Sequence, residues 1–235
     1  MYPVDSRREP LGQEVHVGED GRPPNRLERR KQRTRAALIQ AAQDFIAAGR
    51  FNVPVQDISH AADVGVGSFY NHFESKEQLF QVALNEVLDA HGAMLDAVTA
   101  AMEDPAETFA LSYRLTGRLI RRRPDISRVL LNSGLALISS DRGLAPRARR
   151  DIAAATEAGR FRVSDPQLAV AVVGGALLGL AQLLHDEPER DDAEATDQVT
   201  EDILRLLGLP RQQACKICQR PLPNLDELIH PGSAA

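Results

Sequence analysis

Residues 55–80 read VQDISHAADVGVGSFYNHFESKEQLF, and two short helical patterns meet in this stretch before it runs into a longer one. Val55, Ile58 and Ala62 recur at three and four residues, the buried stripe of a helix too short to hold alone. Asp63-Val64-Gly65 then supplies turn chemistry, since Asp tolerates a left-handed backbone and Gly serves as an N-cap. The second pattern carries Phe69 and Phe73 four apart on one face, which leaves Ser68, Asn71 and His72 to project elsewhere. The stretch is therefore predicted to be a helix-turn-helix, anchored by phenylalanines and presenting polar side chains outward.

Gly67-Ser68-Phe69-Tyr70-Asn71-His72-Phe73, followed by Ser75-Lys76 and the apolar Leu79-Phe80, resembles the Gly-Thr-Leu-Tyr-x-His-Phe…Ser-Lys signature of the TetR family of bacterial transcriptional regulators. The resemblance covers roughly residues 33–85, about a quarter of the chain. It implies an N-terminal three-helix DNA-binding domain, a helical ligand-binding and dimerisation domain behind it, and a homodimer bound to a palindromic operator. The expected activity is that of a repressor released by a small apolar or amphipathic ligand.

Within the motif, Ser68 and Asn71 can hydrogen-bond base edges, Val66 can meet a thymine methyl, and Gly67 permits close approach. The resemblance assigns Tyr70 to a phosphate and His72 to a phosphate or the helix end. Lys76 is expected to share one phosphate with the amides of the helix it begins. Two positions depart from the signature: Asp63 stands at the usual turn Gly, and Gly65 at the usual Ser opening the recognition helix. Pro54 stands where the family commonly has Ser or Thr, so the phosphate contacts of those hydroxyls are absent here.

The net charge of −5 hides an asymmetry that suits this reading. Residues 22–80 hold nine Lys or Arg against six Asp or Glu, and the remainder is acidic. Arg22, Arg26, Arg29, Arg30, Lys31, Arg33 and Arg35 precede the motif, and their placement suggests an arm that neutralises phosphates or enters a minor groove, with Arg33 the residue singled out. At 235 residues and 43% hydrophobic content, with no Trp and long runs of Ala, Leu, Glu and Arg, the chain suits two helical domains, an all-α fold. No secretion signal opens it, so a cytoplasmic protein is expected.

Taken in order, residues 1–25 are expected to be a disordered tail, 26–80 the helix-turn-helix domain with its arm, 81–210 the helical rear domain and 211–235 a poorly ordered tail. A helix running from Lys76 toward Met102 ties head to body. Further helices are predicted near 106–122, 125–139, 144–158, 165–185 and 194–207. Phe109, Tyr113, Arg114 and Asn132 are candidates for a ligand pocket, with core packing the competing reading. Residues 166–184 form an uncharged run of nineteen that meets the length of a membrane helix. Three glycines, two glutamines and acidic flanks favour a buried core and interface helix, with no membrane partner. Gly174, Gly175, Leu178 and Gly179 are its predicted dimer contacts.

Cys215 and Cys218 form a single C-x-x-C, half a zinc site at most, with only His230 nearby. The favoured reading is that both are small apolar residues on a C-terminal helical turn; a redox- or metal-responsive regulator built on this pair is the alternative. No metal or cofactor is expected, and no phosphate loop or nucleophile elbow suggests an enzyme.

Overall fold

Asn25 and Glu28 open the first helix by a reciprocal pair of hydrogen bonds. The Asn25 side chain accepts the Glu28 amide at 2.9 Å, and the Glu28 carboxylate accepts the Asn25 amide at 2.7 Å. A computed structural model describes residues 25–229, and every regular element among them is helical. The capping box starts α1 (Arg26–Ala47) at once, so Arg26 through Arg35 occupy its first turns and do not form a separate arm. Arg22 and the predicted N-terminal tail to residue 24 lie outside the described residues. α1 ends in a left-handed Gly49, with the Arg50 amide reaching back to the Phe45 carbonyl at 2.8 Å, the closure that terminates a helix on glycine.

α2 (Val55–Ala61) and α3 (Val66–Tyr70) follow, joined by Asp63 at φ +54° and capped at Gly65, as the turn chemistry predicts. Ser75 caps α4 (Lys76–Thr99), which leaves the head and crosses into the body. It stops three residues short of Met102, and Asp104 with Pro105 caps and starts the next helix. The head's core is Leu38, Ala42 and Ile46 of α1 packed on Phe69, Phe73 and Leu79.

In the body, α5 (Pro105–Arg122) lies at the centre, with α6 (Pro124–Ser133), α7 (Leu144–Glu157), α8 (Pro166–Asp186) and α9 (Asp192–Leu206) packed around it. The predicted helix over 125–139 is broken at Gly134, whose φ of +51° and ψ of −138° suit only glycine. A 3₁₀ turn (Gly134–Leu137) takes its place. The segment predicted as a poorly ordered tail also differs. α10 (Arg211–Cys218) buries Ala214, Ile217 and Cys218, while Leu222 and residues of α11 (Leu225–Ile229) pack with Leu95, Leu115 and Leu119 in a second cluster. Apolar residues at three-residue spacing outweigh the local Pro punctuation there. Residues 230–235, including His230, lie outside the described residues.

α8 is long and apolar enough to cross a membrane by composition, but it is two-sided. Val173, Leu177, Leu180 and Leu184 are buried, whereas Leu168, Val172 and Leu183 are exposed on the face that carries Gly175 and Gly179. The expected burial on all sides therefore holds for one side within the single chain.

Candidate nucleic-acid interface and ligand cavity

Phe69, fully buried, and Phe73 clamp α3 to the head, helped by the Arg35 guanidinium 5.4 Å over the Phe73 ring. That clamp turns Val66, Gly67, Tyr70 and Asn71 outward; Ser68 and His72 sit partly exposed at the margin of the same short helix. No atom stands within 4 Å of where a Gly67 side chain would begin, so its backbone is open to approach. Among the described residues no side-chain hydrogen bond occupies Ser68, Tyr70 or Asn71, and the Tyr70 ring rests edge-on against Phe69. Arg33 is exposed on α1.

Lys76 is less free than sequence suggests, because its Nζ donates to the Asn52 Oδ1 at 2.7 Å, from the connection between α1 and α2. Asn52 thus orients the lysine, a part no motif announced. Lys76→Ala is expected to weaken binding to all DNA sequences alike and to reduce the log-log salt slope by about one, read by titration at several salt concentrations. Unchanged affinity and slope would remove Lys76 from the interface.

The body holds a partly open cavity of about 100 Å³. Its apolar walls include Phe109 and Tyr113 of α5, Leu130 of α6, and Val173 and Leu177 of α8. Tyr113 is satisfied by donating to the Val173 carbonyl at 3.3 Å, and burial pushes its hydroxyl well above the usual phenol range. Thr116 also lines the space, 3.0 Å from the buried His91 Nε2. Because the Thr116 hydroxyl donates to the Ser112 carbonyl, the His91 ring donates through Nε2. Burial, reinforced by Arg123, pushes His91 down to about 4, so it is neutral near pH 7.

One side of the cavity is charged. Arg147 donates from Nε to Asp96 at 2.9 Å, Arg150 donates from Nη2 to the other Asp96 oxygen at 2.8 Å, and the Arg150 Nε reaches Asp151 at 2.9 Å. Burial opposes ionisation of Asp96, but the hydrogen bonds from Arg147 and Arg150 prevail and hold it below the usual carboxylate range. Asp151 goes the other way, pushed up by burial against the pull of Arg150. A cavity with an aliphatic and aromatic wall and convergent charged groups can take a ring and orient its polar substituents.

Sequence reasoning placed Phe109 and Tyr113 at this cavity and missed its charged side. No sequence pattern singled out Asp96, Arg147, Arg150 and Asp151, because only the pairing of α4 with α7 brings them together at this cavity, with Arg150 still largely exposed. Two other candidates need correction. Arg114 faces α9, bidentate to Asp197 at 2.7 and 3.1 Å and donating to the Arg220 carbonyl at 2.8 Å. Asn132 is spent on the Arg128 carbonyl of its own helix. Gly174 and Leu178, predicted at the dimer interface, line the cavity, and a side chain begun at Gly174 would lie 3.0 Å from Ile138. Gly175 and Gly179 alone of the four stand beside open space.

Cys215 and Cys218 are both free thiols. Cys218 is buried, and burial pushes its thiol up to about 12, where thiolate chemistry is suppressed.

Fold and site together define an all-helical protein with a helix-turn-helix head. Residues 38–83 match the sequence profile described as bacterial regulatory proteins, tetR family, and residues 104–220 match that of the tetracyclin repressor-like C-terminal domain. The crystal structure of RolR without ligand superposes with a TM-score of 0.68 at 32% identity, covering 81% of this chain and 99% of that one. RolR in complex with resorcinol gives 0.63 at 31%, covering 84% and 98%. This chain belongs to the TetR family of bacterial transcriptional regulators. Among curated relatives, the transcriptional regulator TcmR of Streptomyces glaucescens is 32% identical over 92 residues, which is 39% of this chain and 40% of TcmR. The transcriptional repressor KstR2 of Mycolicibacterium smegmatis is 34% identical over 84 residues, 34% of this chain and 41% of KstR2. The matches thus span about two fifths of those proteins.

Proposed function

We propose that the protein is a homodimeric repressor whose two α3 helices enter successive major grooves of a near-palindromic operator, and that a small hydroxylated aromatic compound releases it. The observation that carries the ligand half is the cavity, mostly apolar, with Ser112 and Thr116 on its α5 wall and charged groups, Asp96, Arg147, Arg150 and Asp151 among them, on one side. An apolar protein cavity of about 150 Å³ accommodates benzene, so about 100 Å³ suits one small ring with slight opening. Carboxylate oxygens accept from ring hydroxyls while guanidinium N–H groups donate to them. The similarity to RolR, solved with resorcinol, supports the same class.

For the head, Ser68 and Asn71 would read base edges with Val66 and Gly67 against the groove. Tyr70, His72, Lys76 and Arg33 would take phosphates. The path between the sites runs through α6. Leu130 forms part of the cavity wall, and Arg128, two residues away, donates to the Ala47 carbonyl at the end of α1. A ligand that moves α6 would move α1, and with it the head separation that must match one helical turn of DNA, about 34 Å. The buried, raised thiol of Cys218 offers no support for a cysteine-based sensor.

The test is release of the protein from an operator selected out of random DNA, on titration with resorcinol. The parent should dissociate, and Asp96→Asn should require roughly 10- to 100-fold more ligand, the loss expected for a hydrogen bond to a charged acceptor. If mono- and dihydroxybenzenes leave the complex intact and give no heat of binding, the ligand assignment falls.

A further inference from the structure

The charged side of the cavity rests on a glycine. Asp89, Gly92 and Asp96 stand three and four residues apart, one stripe of α4, and Arg147 from α7 lies across it. Its Nε donates to Asp96 at 2.9 Å, its Nη1 donates to the Gly143 carbonyl at 2.8 Å, and that same Nη1 stands 3.9 Å from Asp89. A side-chain carbon added at Gly92 would lie 2.4 Å from the guanidinium carbon and 2.5 Å from Nε and Nη1, closer than such atoms approach. Glycine is poorly suited to a helix interior, so its presence in the second half of a 24-residue helix calls for a packing cause, and the guanidinium provides it.

We propose that Gly92 is a specificity-determining position: it is the flat seat that holds Arg147 where its guanidinium meets a ligand hydroxyl. This rests on the ligand class argued under Proposed function. Gly92 touches no ligand and acts through Arg147. The atoms in conflict with a larger residue are the far end of a flexible side chain, so the helix can stay intact while Arg147 leaves Asp96. A substitution at residue 92 would therefore retune the cavity without dismantling the fold, and the selectivity lost is that for a polar substituent, because the apolar walls are unchanged.

The experiment is a double-mutant cycle of Gly92→Ala and Arg147→Ala with two readouts. Calorimetric titration compares resorcinol with 3-methylphenol, in which a methyl replaces one hydroxyl. Gly92→Ala should shrink the parent's preference for resorcinol at least fivefold while ligand-free operator binding stays within twofold. In the Arg147→Ala background the same change should leave the preference unaltered. Thermal melting without ligand is the second readout: Gly92→Ala should raise the midpoint by a few degrees when Arg147 is absent and fail to raise it when Arg147 is present. An unchanged preference in Gly92→Ala, or an equal change in both backgrounds, overturns the proposal. A parent that binds neither phenol overturns the ligand class and with it the specificity role. The melting cycle then still reports, independently, on the seat itself, and additive midpoints would overturn that too.

Discussion

Gly175→Glu is expected to yield monomers or aggregates that have lost operator binding, with affinity reduced roughly a thousandfold toward the non-specific level. The outward side of α8 sets this expectation. Leu168, Val172, Gly175, Gly179 and Leu183 follow one another at three and four residues; the three larger ones are 63%, 41% and 37% exposed, and the two glycines open onto empty space. An apolar stripe with bare backbone at its centre suits a second helix at close range, and a two-fold axis brings residue 175 near its own copy. A glutamate there buries two like charges together, and one head alone holds half a palindrome. Sedimentation velocity and operator titration check it. A soluble, dimeric Gly175→Glu protein would move the interface elsewhere, and a parent protein that sediments as a monomer at micromolar concentration would end the dimer reading.

Asp197→Ala is expected to cost about 3–5 kcal/mol of stability, the penalty for stripping the partner from a buried charge. Asp197 on α9 is the shared acceptor for Arg114, whose side chain is 5% exposed, and for Arg118 at 2.6 Å. Its removal leaves one guanidinium sealed between α5 and α9 and a second half-sealed beside it. Domain stability is about 5–15 kcal/mol in total, so the variant should unfold at much lower urea. Asp197→Asn, which retains an acceptor, should fall between. A loss under about 1 kcal/mol would mean that water or side-chain rearrangement rescues Arg114.

These two sites mark where the sequence can be read and where it cannot. Local chemistry was legible: Phe69 and Phe73 gave the anchored face of α3, and the Asp63-Val64-Gly65 turn appears with Asp63 left-handed and Gly65 at the cap. The Asn25 and Glu28 capping box, which the reading of the basic run as an arm passed over, turns that run into helix. What stayed hidden depends on partners far away in sequence. Arg114 looked like a pocket residue because Asp197, 83 positions later, cannot be paired with it by spacing. Asp96 and Arg147, 51 positions apart, carried no signal of a shared site for the same reason. On α8 the apolar character was clear, but Gly174 and Gly175 differ by one step of about 100° around the helix, and only the packed body decides that the first faces Ile138 and the second faces out.

The hydrogen bond from Arg128 to the Ala47 carbonyl carries a thermodynamic obligation. On the proposed reading it joins the wall of the cavity to the helix on which the head is built, and a joint of this kind has no preferred direction. Whatever factor the ligand takes from operator affinity, the operator takes from ligand affinity. Protein seated on DNA is then a poorer receptor than protein in free solution. The concentration at which the gene responds is set by the occupied form, and a ligand dissociation constant measured on free protein will fall below that threshold by the same factor.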